Sequence, residues 1–295
     1  MSLTVLSYGA GQDSWAILIK LALDSGFRAK YAPGALVVVC SDTGNEHPET
    51  YEHIEYTKQF CAAAGIEFHH LTADQGYHTE TWIGLEQFYA SHDAIGSKAY
   101  PKTCTSNLKI EPIYRWLNHW VNDHFFPTQD FTMRKKALYA FAEKYGKIQV
   151  LIGIAKGEER RVANATTGTK WMDENIERVY PLIELGIDRQ GCQDIADEYD
   201  QPIPPPSNCV MCPFKDEIEI LWTARRYPRM FNRWVELEAN KLRKYADKGK
   251  DNHAVFRSRT LPQVLADAEI KYELWSMAEI DEHRFSHGHC VSSAY

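Results

Sequence analysis

The amino-acid sequence predicts an α/β protein with a parallel sheet of about five strands flanked by helices. Short apolar runs alternate with helical patterns over the first two-thirds of the chain. The run GALVVVC at 34–40 is almost continuously β-branched, as in strands buried on both faces. Strands that are separated by helices are joined by right-handed crossovers, which makes the sheet parallel.

The strands are expected at five places in chain order. They lie in the run before Ser7 and at 34–40, 66–72 and 147–155, with a weaker fifth at 178–185. Helical patterns follow the first two strands, and the second of these runs over 51–65, where Gly65 is a typical stop signal.

The character of the chain changes near residue 186. We therefore predict an α/β domain at 1–186 and a mostly helical region at 187–295. Asp188 is expected to open a helix, a proline-rich bridge follows, and two further helices are divided near Pro228. The segment 74–103 has no clear periodicity and is expected to be a mobile cover over the site.

Composition narrows the class of protein. The 295 residues, 44% hydrophobic and 25% charged, are typical of a soluble globular chain with ample core. The balance of 33 Lys+Arg against 40 Asp+Glu gives a net charge of −7, without the global basic signature of a nucleic-acid binder. No run is apolar and long enough to cross a bilayer, and no secretory signal pattern is present. An odd number of cysteines, 7, favours reduced thiols, metal or catalysis, so we expect a cytoplasmic protein without membrane contact.

The run TVLSYGAGQDS at 4–14 leads directly into the apolar helical stretch WAILIKLAL. A strand, a turn of small residues and a helix direct backbone N–H groups and the positive helix end toward one anion. The predicted phosphate-binding residues are Ser7, Tyr8, Gly9, Ala10, Gly11, Gln12, Asp13 and Ser14. Asp13 could cap the helix or hold Mg²⁺. The alternative is a purely structural turn, because many strand-to-helix corners need glycine.

Two further loops follow strands at the edge where open parallel sheets bind ligands. In SDTGNEHPET, Asp42 and Thr43 could contact a ribose or a metal ion, or could simply turn the chain. In GIAKGEERR, a strand ends at Gly153 and presents Lys156, Arg160 and Arg161. A solvated loop is the alternative, but paired arginines at this edge suit bidentate anion binding.

Cys209 and Cys212 form a C-x-x-C pair on a turn after the prolines. This spacing lets both sulfurs reach one metal ion or cluster, whereas a redox pair would usually open a helix directly after a strand. Cys104, in a polar loop before a helix, and Cys290, near the C-terminus, are the predicted complements. Four thiolates suit either Zn²⁺ or a 4Fe-4S cluster. His287 and His289 are alternative zinc ligands, and Cys40, Cys61 and Cys192 lie in apolar or helical settings typical of structural thiols.

Six stretches resemble, in the same order, motifs of the phosphoadenosine-phosphosulfate (PAPS) reductase-like family of the PP-loop ATP pyrophosphatase superfamily. They are SYGAGQDS, SDTGNEHPET, KTCTSNLKIEP, GIAKGEERR, YPLIELGIDRQGC and SNCVMCPF. Similar proteins include the ATP pyrophosphatases of DNA phosphorothioation and phage proteins. The resemblance implies an adenine-nucleotide α-hydrolase-like fold, and it places Lys109 near the substrate phosphates. Gln12 stands where many members carry lysine.

The resemblance implies one of two reactions. In the first, ATP is cleaved between its α and β phosphates, the substrate is adenylated, and sulfur is then transferred to a nucleic acid or small acceptor. In the second, a sulfonucleotide (PAPS or APS) is reduced with release of sulfite, and Cys290 is the nucleophile. The reductases carry this cysteine in an E-C-G-L/I-H motif, whereas this chain reads HGHCVSSAY, which favours the first reaction.

A third function remains open, namely a non-catalytic nucleotide- or nucleic-acid-binding accessory protein. The basic runs at 225–229 and 241–250 could contact phosphates of DNA or tRNA, although such runs are usually the solvated side of a helix. Expected partners are therefore an adenine nucleotide, a DNA or tRNA substrate, and a sulfur donor protein or a thioredoxin-like reductant. A homodimer is a further open alternative.

Overall fold

The computed structural model describes residues 1–163, 169–249 and 252–287. In this part of the chain a five-stranded sheet has the order β3-β2-β1-β4-β5, and every neighbouring pair is parallel. The strands are β1 (Leu3–Ser7), β2 (Ala35–Ser41), β3 (Glu67–Leu71), β4 (Ile148–Ile152) and β5 (Ile176–Val179). The predicted α/β class and parallel sheet are confirmed.

Helices flank the sheet and form the C-terminal region. Those that precede β5 are α1 (Gln12–Leu23), α2 (Ser25–Tyr31), α3 (Pro48–Ala63), α4 (Leu85–His92), α5 (Glu111–Phe125), α6 (Lys136–Tyr145), α7 (Arg160–Ala163) and α8 (Lys170–Asn175). Those that follow it are α9 (Pro181–Glu184), α10 (Arg189–Glu198), α11 (Glu217–Arg226), α12 (Pro228–Lys244), α13 (Leu261–Lys271) and α14 (Met277–His287). Short 3₁₀ turns occupy Ala73–Gln75 and Ala246–Lys248, and a π-helical turn, Ser106–Ile110, leads into α5.

The alternation of side chains along each strand divides the core into two layers. On one face Leu6, Val38 and Leu151 pack with α1, α2, α3 and α10. On the other face Val5 and Val150 pack with α5, α6 and α8. Burying both faces explains why the strands read as continuous apolar runs rather than as alternating ones.

The C-terminal helices form two further apolar clusters. One joins α11, α12 and α13 to α4, and the other joins α11 and α13 to α14. Backbone contacts tie this region to the loop after β2: the amides of Val210 and Met211 donate to the backbone and side-chain oxygens of Asn45, at 2.7 and 2.8 Å. Helix α10, which follows the predicted boundary at 186, packs on α1. The cysteine turn is thereby held beside the carboxyl edge of the sheet.

Two expected segments differ in detail from the structure. The weak fifth strand lies at Ile176–Val179, and Pro181 opens α9 because proline is favoured in the first turn of a helix and interrupts a strand ladder. The segment 74–103 contains α4, whose apolar side packs on the C-terminal helices. Among the described helices, none combines the length and apolarity that a membrane span requires.

Candidate functional site

The strand order places a crevice between β1 and β4. The chain winds outward in opposite directions from these two central strands, and open α/β sheets bind ligands beyond the carboxyl ends of such a pair. A pocket lies at this point. The predicted residues that line it are Ser7, Gly9, Gly11, Gln12, Asp13, Ser14, Thr43, Cys104, Lys109, Gly153, Arg161, Cys209 and Cys212. Motifs that are separated by up to 200 residues in the sequence therefore meet at one site.

The loop after β1 has an unusual conformation for its sequence. Ala10, not a glycine, has a positive φ of 55°. Gly11 is the N-cap of α1 and provides no side-chain hydrogen bond, so Asp13 does not cap this helix. A Cβ atom on Gly11 would lie 2.5 Å from Oγ of Ser207. A side chain at Gly11 would therefore have to displace the Ser207 hydroxyl, because the segment after the prolines lies directly against the loop.

Gly153 brings the end of β4 against the first turn of α1. A Cβ atom at this position would lie 2.7 Å from the amide nitrogen of Ser14 and 3.0 Å from the carbonyl carbon of Asp13. Only a residue without a side chain allows the two backbones to approach so closely. This contact fixes the helix N-terminus, with its partial positive charge, at the floor of the pocket.

The hydroxyl of Ser14 closes the loop on itself. It accepts a hydrogen bond from the Gly9 amide at 3.2 Å and donates to the Gly11 carbonyl at 3.1 Å. Both partners belong to the loop that is predicted to bind phosphate. An anion at the N-terminus of α1 can therefore replace the Ser14 hydroxyl as the acceptor of the hydrogen bond from the Gly9 N–H group.

Gln12 links the loop to the C-terminal region. Its amide nitrogen donates to the backbone oxygens of Pro204 and Phe285, at 3.2 and 3.4 Å, and its amide oxygen accepts from Gln193 at 3.1 Å. This side chain thus holds the proline-rich segment, α10 and α14 in place. This neutral side chain therefore acts as a structural tie between the loop and the C-terminal region.

A chain of ion pairs crosses the pocket. Arg189 contacts the Asp13 carboxylate at 2.9 Å and the Glu158 carboxylate at 3.0 Å, and Arg161 pairs with Glu158. These four side chains are largely shielded from solvent, so their charges are screened less than at an open surface. The arrangement holds two guanidinium groups at the pocket and balances them with two carboxylates.

Two lysines add to the positive charge. Lys109 lies in the π-helical turn Ser106–Ile110 and contacts the Glu46 carboxylate at 3.4 Å. Lys102 lines the same pocket. Among the described lining residues, four are basic and only Asp13 is acidic. Glu158 and Glu46 pair with these cations from outside the lining, so the cluster of four basic and three acidic side chains carries one net positive charge, although the whole chain carries a net charge of −7.

Three cysteines converge at one end of the pocket. Cys104, Cys209 and Cys212 line it together, and the three sulfurs lie near the buried hydroxyl of Tyr89. Burial is the main reason why the pKa of that phenol is raised well above its usual value, and the cysteines add to it. Within the described ranges, no three His, Cys, Asp or Glu side chains form a group that could hold a metal ion.

Cys209 is a neutral thiol in this environment. Its sulfur lies 3.4 Å from the Thr43 hydroxyl and 3.7 Å from the Glu46 carboxylate. Burial raises its pKa strongly, Glu46 raises it further, and Lys109 opposes the effect. A bound metal or cluster would reverse this, because coordination stabilises the thiolate. Cys40, Cys61 and Cys192 are buried elsewhere, in agreement with structural roles.

Several predicted residues do not line this pocket. The Tyr8 side chain is buried against α3, with its hydroxyl 2.8 Å from Nε2 of His53. Asp42 accepts hydrogen bonds from the Gly44 amide and the Tyr51 hydroxyl, so its carboxylate stabilises the turn. Others in this group are Ala10, which is buried, and Lys156 and Arg160, which are exposed. Cys290 and His289 lie outside the described residues, as does the side chain of His287.

Arg189 is the functional candidate that we did not single out from the sequence. It occupies the first position of α10, directly after the N-cap Asp188, whose carboxylate accepts from the Gly191 amide at 2.9 Å. The available signal is its place in GIDRQGC, one of the stretches that resemble the reductase-like family. Its contact with Asp13 joins residues 176 positions apart, which no local pattern reveals.

Comparison with known proteins gives no match. No protein-family model, no curated protein and no solved structure is significantly similar to the chain.

Proposed function

We propose that this protein is a PP-loop-type enzyme that binds ATP and cleaves it between the α and β phosphates. One observation carries the proposal: the loop 7–14, the N-terminus of α1 and four basic side chains converge at the crevice between β1 and β4. Helix N-termini and convergent guanidinium groups are general devices for binding phosphate. The adenine-nucleotide α-hydrolase-like fold proposed for the chain is supported by the observed strand order.

Each group has a role in this proposal. The backbone amides of the loop and of the first turn of α1 bind the phosphate oxygens that leave as pyrophosphate. Lys109, Arg161 and Arg189 offset the negative charge that develops on the leaving group. Mg²⁺, held in part by Asp13, would supply further charge neutralisation. Because Arg189 now pairs with Asp13, phosphate oxygens would compete for this arginine as the nucleotide enters.

The size of the pocket limits how a nucleotide can bind. Its volume is about 70 Å³, whereas ordinary small-molecule sites have roughly 300–1,000 Å³. The space therefore suits a phosphate group, and a complete nucleotide requires the walls to separate. Ser207, which lies against Gly11, belongs to the wall that would have to move.

The cysteines are proposed as the second part of the site. Cys104, Cys209, Cys212 and Cys290 would hold a 4Fe-4S cluster or Zn²⁺, and a cluster would supply a carrier for the sulfur that displaces AMP. The observation that supports this set is the convergence of three of its four members at the phosphate pocket. The acceptor is proposed to be a nucleic acid or a small molecule.

The nucleotide proposal is tested with ATP and three arginine variants. Arg161→Gln and Arg189→Gln are each expected to weaken ATP binding about ten- to 100-fold, because each removes a charge-assisted hydrogen bond. Binding is measured by isothermal titration calorimetry in the presence of Mg²⁺, and products are separated by anion-exchange chromatography. Formation of AMP and pyrophosphate is the expected result.

Arg160→Gln is the matched variant, because Arg160 adjoins Arg161 but is exposed. If Arg160→Gln binds ATP as tightly as the unmodified protein and Arg161→Gln does not, phosphate binding is assigned to Arg161 and not to Arg160. Sulfite release from PAPS without ATP cleavage would replace the proposal by the reductase reaction. Absence of ATP binding would refute it.

The cysteine proposal is tested by anaerobic purification. We expect broad absorbance near about 400 nm from iron and sulfur, and its loss when Cys104, Cys209, Cys212 or Cys290 is changed to Ser. Cys61→Ser, on α3 in the buried layer that also contains α1, is the control and is expected to retain the spectrum. A colourless protein with stoichiometric zinc would identify the metal as Zn²⁺. A protein that contains neither iron nor zinc would contradict the proposed site.

A further inference from the structure

A second cavity adjoins the phosphate pocket and has no role in the proposed reaction so far. Its volume is about 420 Å³, and it shares Lys102, Cys104 and Pro213 with that pocket. We call it the aromatic cavity; its ring-bearing walls are Trp82, Phe88, Tyr89, His92, Tyr100, Phe214, Tyr245 and His253. A ligand in this cavity would face the cysteine end of the proposed active site.

Six rings of the aromatic cavity form two separate stacks, and neighbouring rings within each stack are roughly parallel. In the first, Phe88 lies between Trp82 and His92, with centroid distances of 3.6 and 4.6 Å and interplanar angles of 11° and 26°. In the second, His253 lies between Tyr245 and Tyr100, at 4.4 and 6.2 Å and 23° and 25°. The first stack comes from α4 and the segment before it, whereas the second joins Tyr100 to the end of α12 and to His253.

The inner rings belong to the apolar cluster that joins α4 to the C-terminal helices: Tyr89 is buried in it, and Trp82 and Phe88 pack against it. The space beside them is open to solvent on its outer side. Tyr100 is 39% exposed, and Trp82, Phe88 and Tyr245 are half-buried. Exposed aromatic surface around an open cavity marks a place where a ligand binds.

Basic side chains outnumber acidic ones around the aromatic cavity. Among the described residues, Lys102 and Lys241 line it with one acidic residue, Asp93, and Nζ of the buried Lys241 donates to the backbone oxygen of Ile95 at 3.0 Å. The last turn of α12 also carries Arg243 and Lys244, which are exposed. Lys244 donates to the backbone oxygen of His92 at 2.6 Å, which brings this helix end to the first ring stack. Lys241 and Lys244, at the start of the predicted basic run, therefore lie at a cavity of stacked rings rather than on an unrelated surface.

Flat rings beside cationic side chains suit one class of ligand. Aromatic side chains stack on nucleobases of any sequence, and neighbouring lysines and arginines bind the phosphates. We propose that the aromatic cavity binds a nucleobase of the acceptor, with the basic end of α12 directed at its phosphate backbone. The role as acceptor rests on the proposed function, whereas nucleobase binding does not.

The proposal is tested with a fluorescent nucleobase. The full chain is titrated into 2-aminopurine riboside and, separately, into a single-stranded DNA oligonucleotide with one central 2-aminopurine. Stacking quenches this base, so we expect quenching on binding. Tyr100→Leu is expected to weaken binding about tenfold or more, by the loss of one stacking ring. Tyr139→Leu is the control, because Tyr139 is similarly exposed, 41%, but lies on α6.

The two probes distinguish the source of the base. Lys244→Gln is expected to weaken binding of the oligonucleotide and to leave the riboside unchanged if the base belongs to a nucleic acid. If Lys244→Gln changes the affinities for the oligonucleotide and for the riboside equally, the cavity is assigned to a free nucleoside. Absence of quenching, or equal affinities of Tyr100→Leu and Tyr139→Leu, would overturn the proposal.

Competition with ATP separates this inference from the proposed function. If saturating ATP leaves the 2-aminopurine signal unchanged, the two ligands bind at different places, as proposed. Displacement of the probe by ATP would show that the cavity holds the adenine of the nucleotide, which overturns the inference. Quenching that depends on Tyr100 in a protein that fails to bind ATP would retain the nucleobase cavity and refute only the proposed function.

Discussion

At the scale of single residues, Gly153 sets how closely β4 approaches α1 at the pocket between β1 and β4. In Gly153→Ala the new methyl group would meet three backbone atoms of α1, one at 2.7 Å and two at 3.0 Å, which cannot turn away as a side chain can. The end of β4 and the N-terminus of α1 must then separate. We expect the free energy of unfolding to fall by about 1–3 kcal/mol, as for an overpacked core position, and ATP binding to weaken. Urea unfolding measures the first effect.

Gly9→Ala is the matched control for stability. A Cβ atom on Gly9 would lie 3.9 Å from its nearest neighbour, Oγ of Ser14, which is an ordinary contact. Its effect on unfolding is expected to stay within about 0.5 kcal/mol. Equal destabilisation by both substitutions would mean that the close approach of β4 and α1 does not set the stability of this region.

At the scale of secondary-structure elements, the sequence predicts those strands and helices whose positions depend on residues close together in the chain. The β-branched run of β2 and the N-cap Asp188 of α10 each carry their own signal, and both elements are found where expected. The division between α11 and α12 at Pro228 is also as predicted, because proline opens the second helix. The fifth strand carried a weaker signal, and its end is set by the helix that begins at Pro181.

The site is less accessible from sequence, because its contacts are long-range. The convergence of the loop 7–14 and Arg161 follows from their positions after β1 and β4 of a parallel sheet, and it could be predicted, whereas only the family resemblance placed Lys109 here. The pairing of Arg189 with Asp13 could not, because it depends on α10 folding back onto α1. The second ring stack of the aromatic cavity likewise joins Tyr100 to Tyr245 and His253, which are far away in the sequence, whereas Phe88 and His92 of the first stack are four residues apart on α4.

At the scale of the whole molecule, His53 of α3 links the loop 7–14 to the helical layer that contains α1 and α3. Its Nε2 lies 2.8 Å from the Tyr8 hydroxyl, and its ring packs edge-on against Trp15 of α1 at 4.9 Å. Burial lowers the pKa of this imidazole from 6.5 to about 4. The unfolded chain therefore binds more protons than the folded protein between these two pH values, and acid favours unfolding in that range.

We expect the contribution of His53 to the free energy of unfolding to be complete above pH 6.5. As the pH falls toward about 4 this contribution is lost, which lowers the free energy of unfolding by about 3 kcal/mol in total. Urea unfolding is measured at intervals over this range for the unmodified protein and for His53→Gln, whose side chain does not titrate. The difference between their free energies of unfolding should decrease as the solution is acidified. Tyr8→Phe should keep the same pH dependence, because burial rather than the hydroxyl lowers the pKa. A difference independent of pH would show that His53 is protonated in the folded protein, and the layer behind the loop would then contain a buried cation.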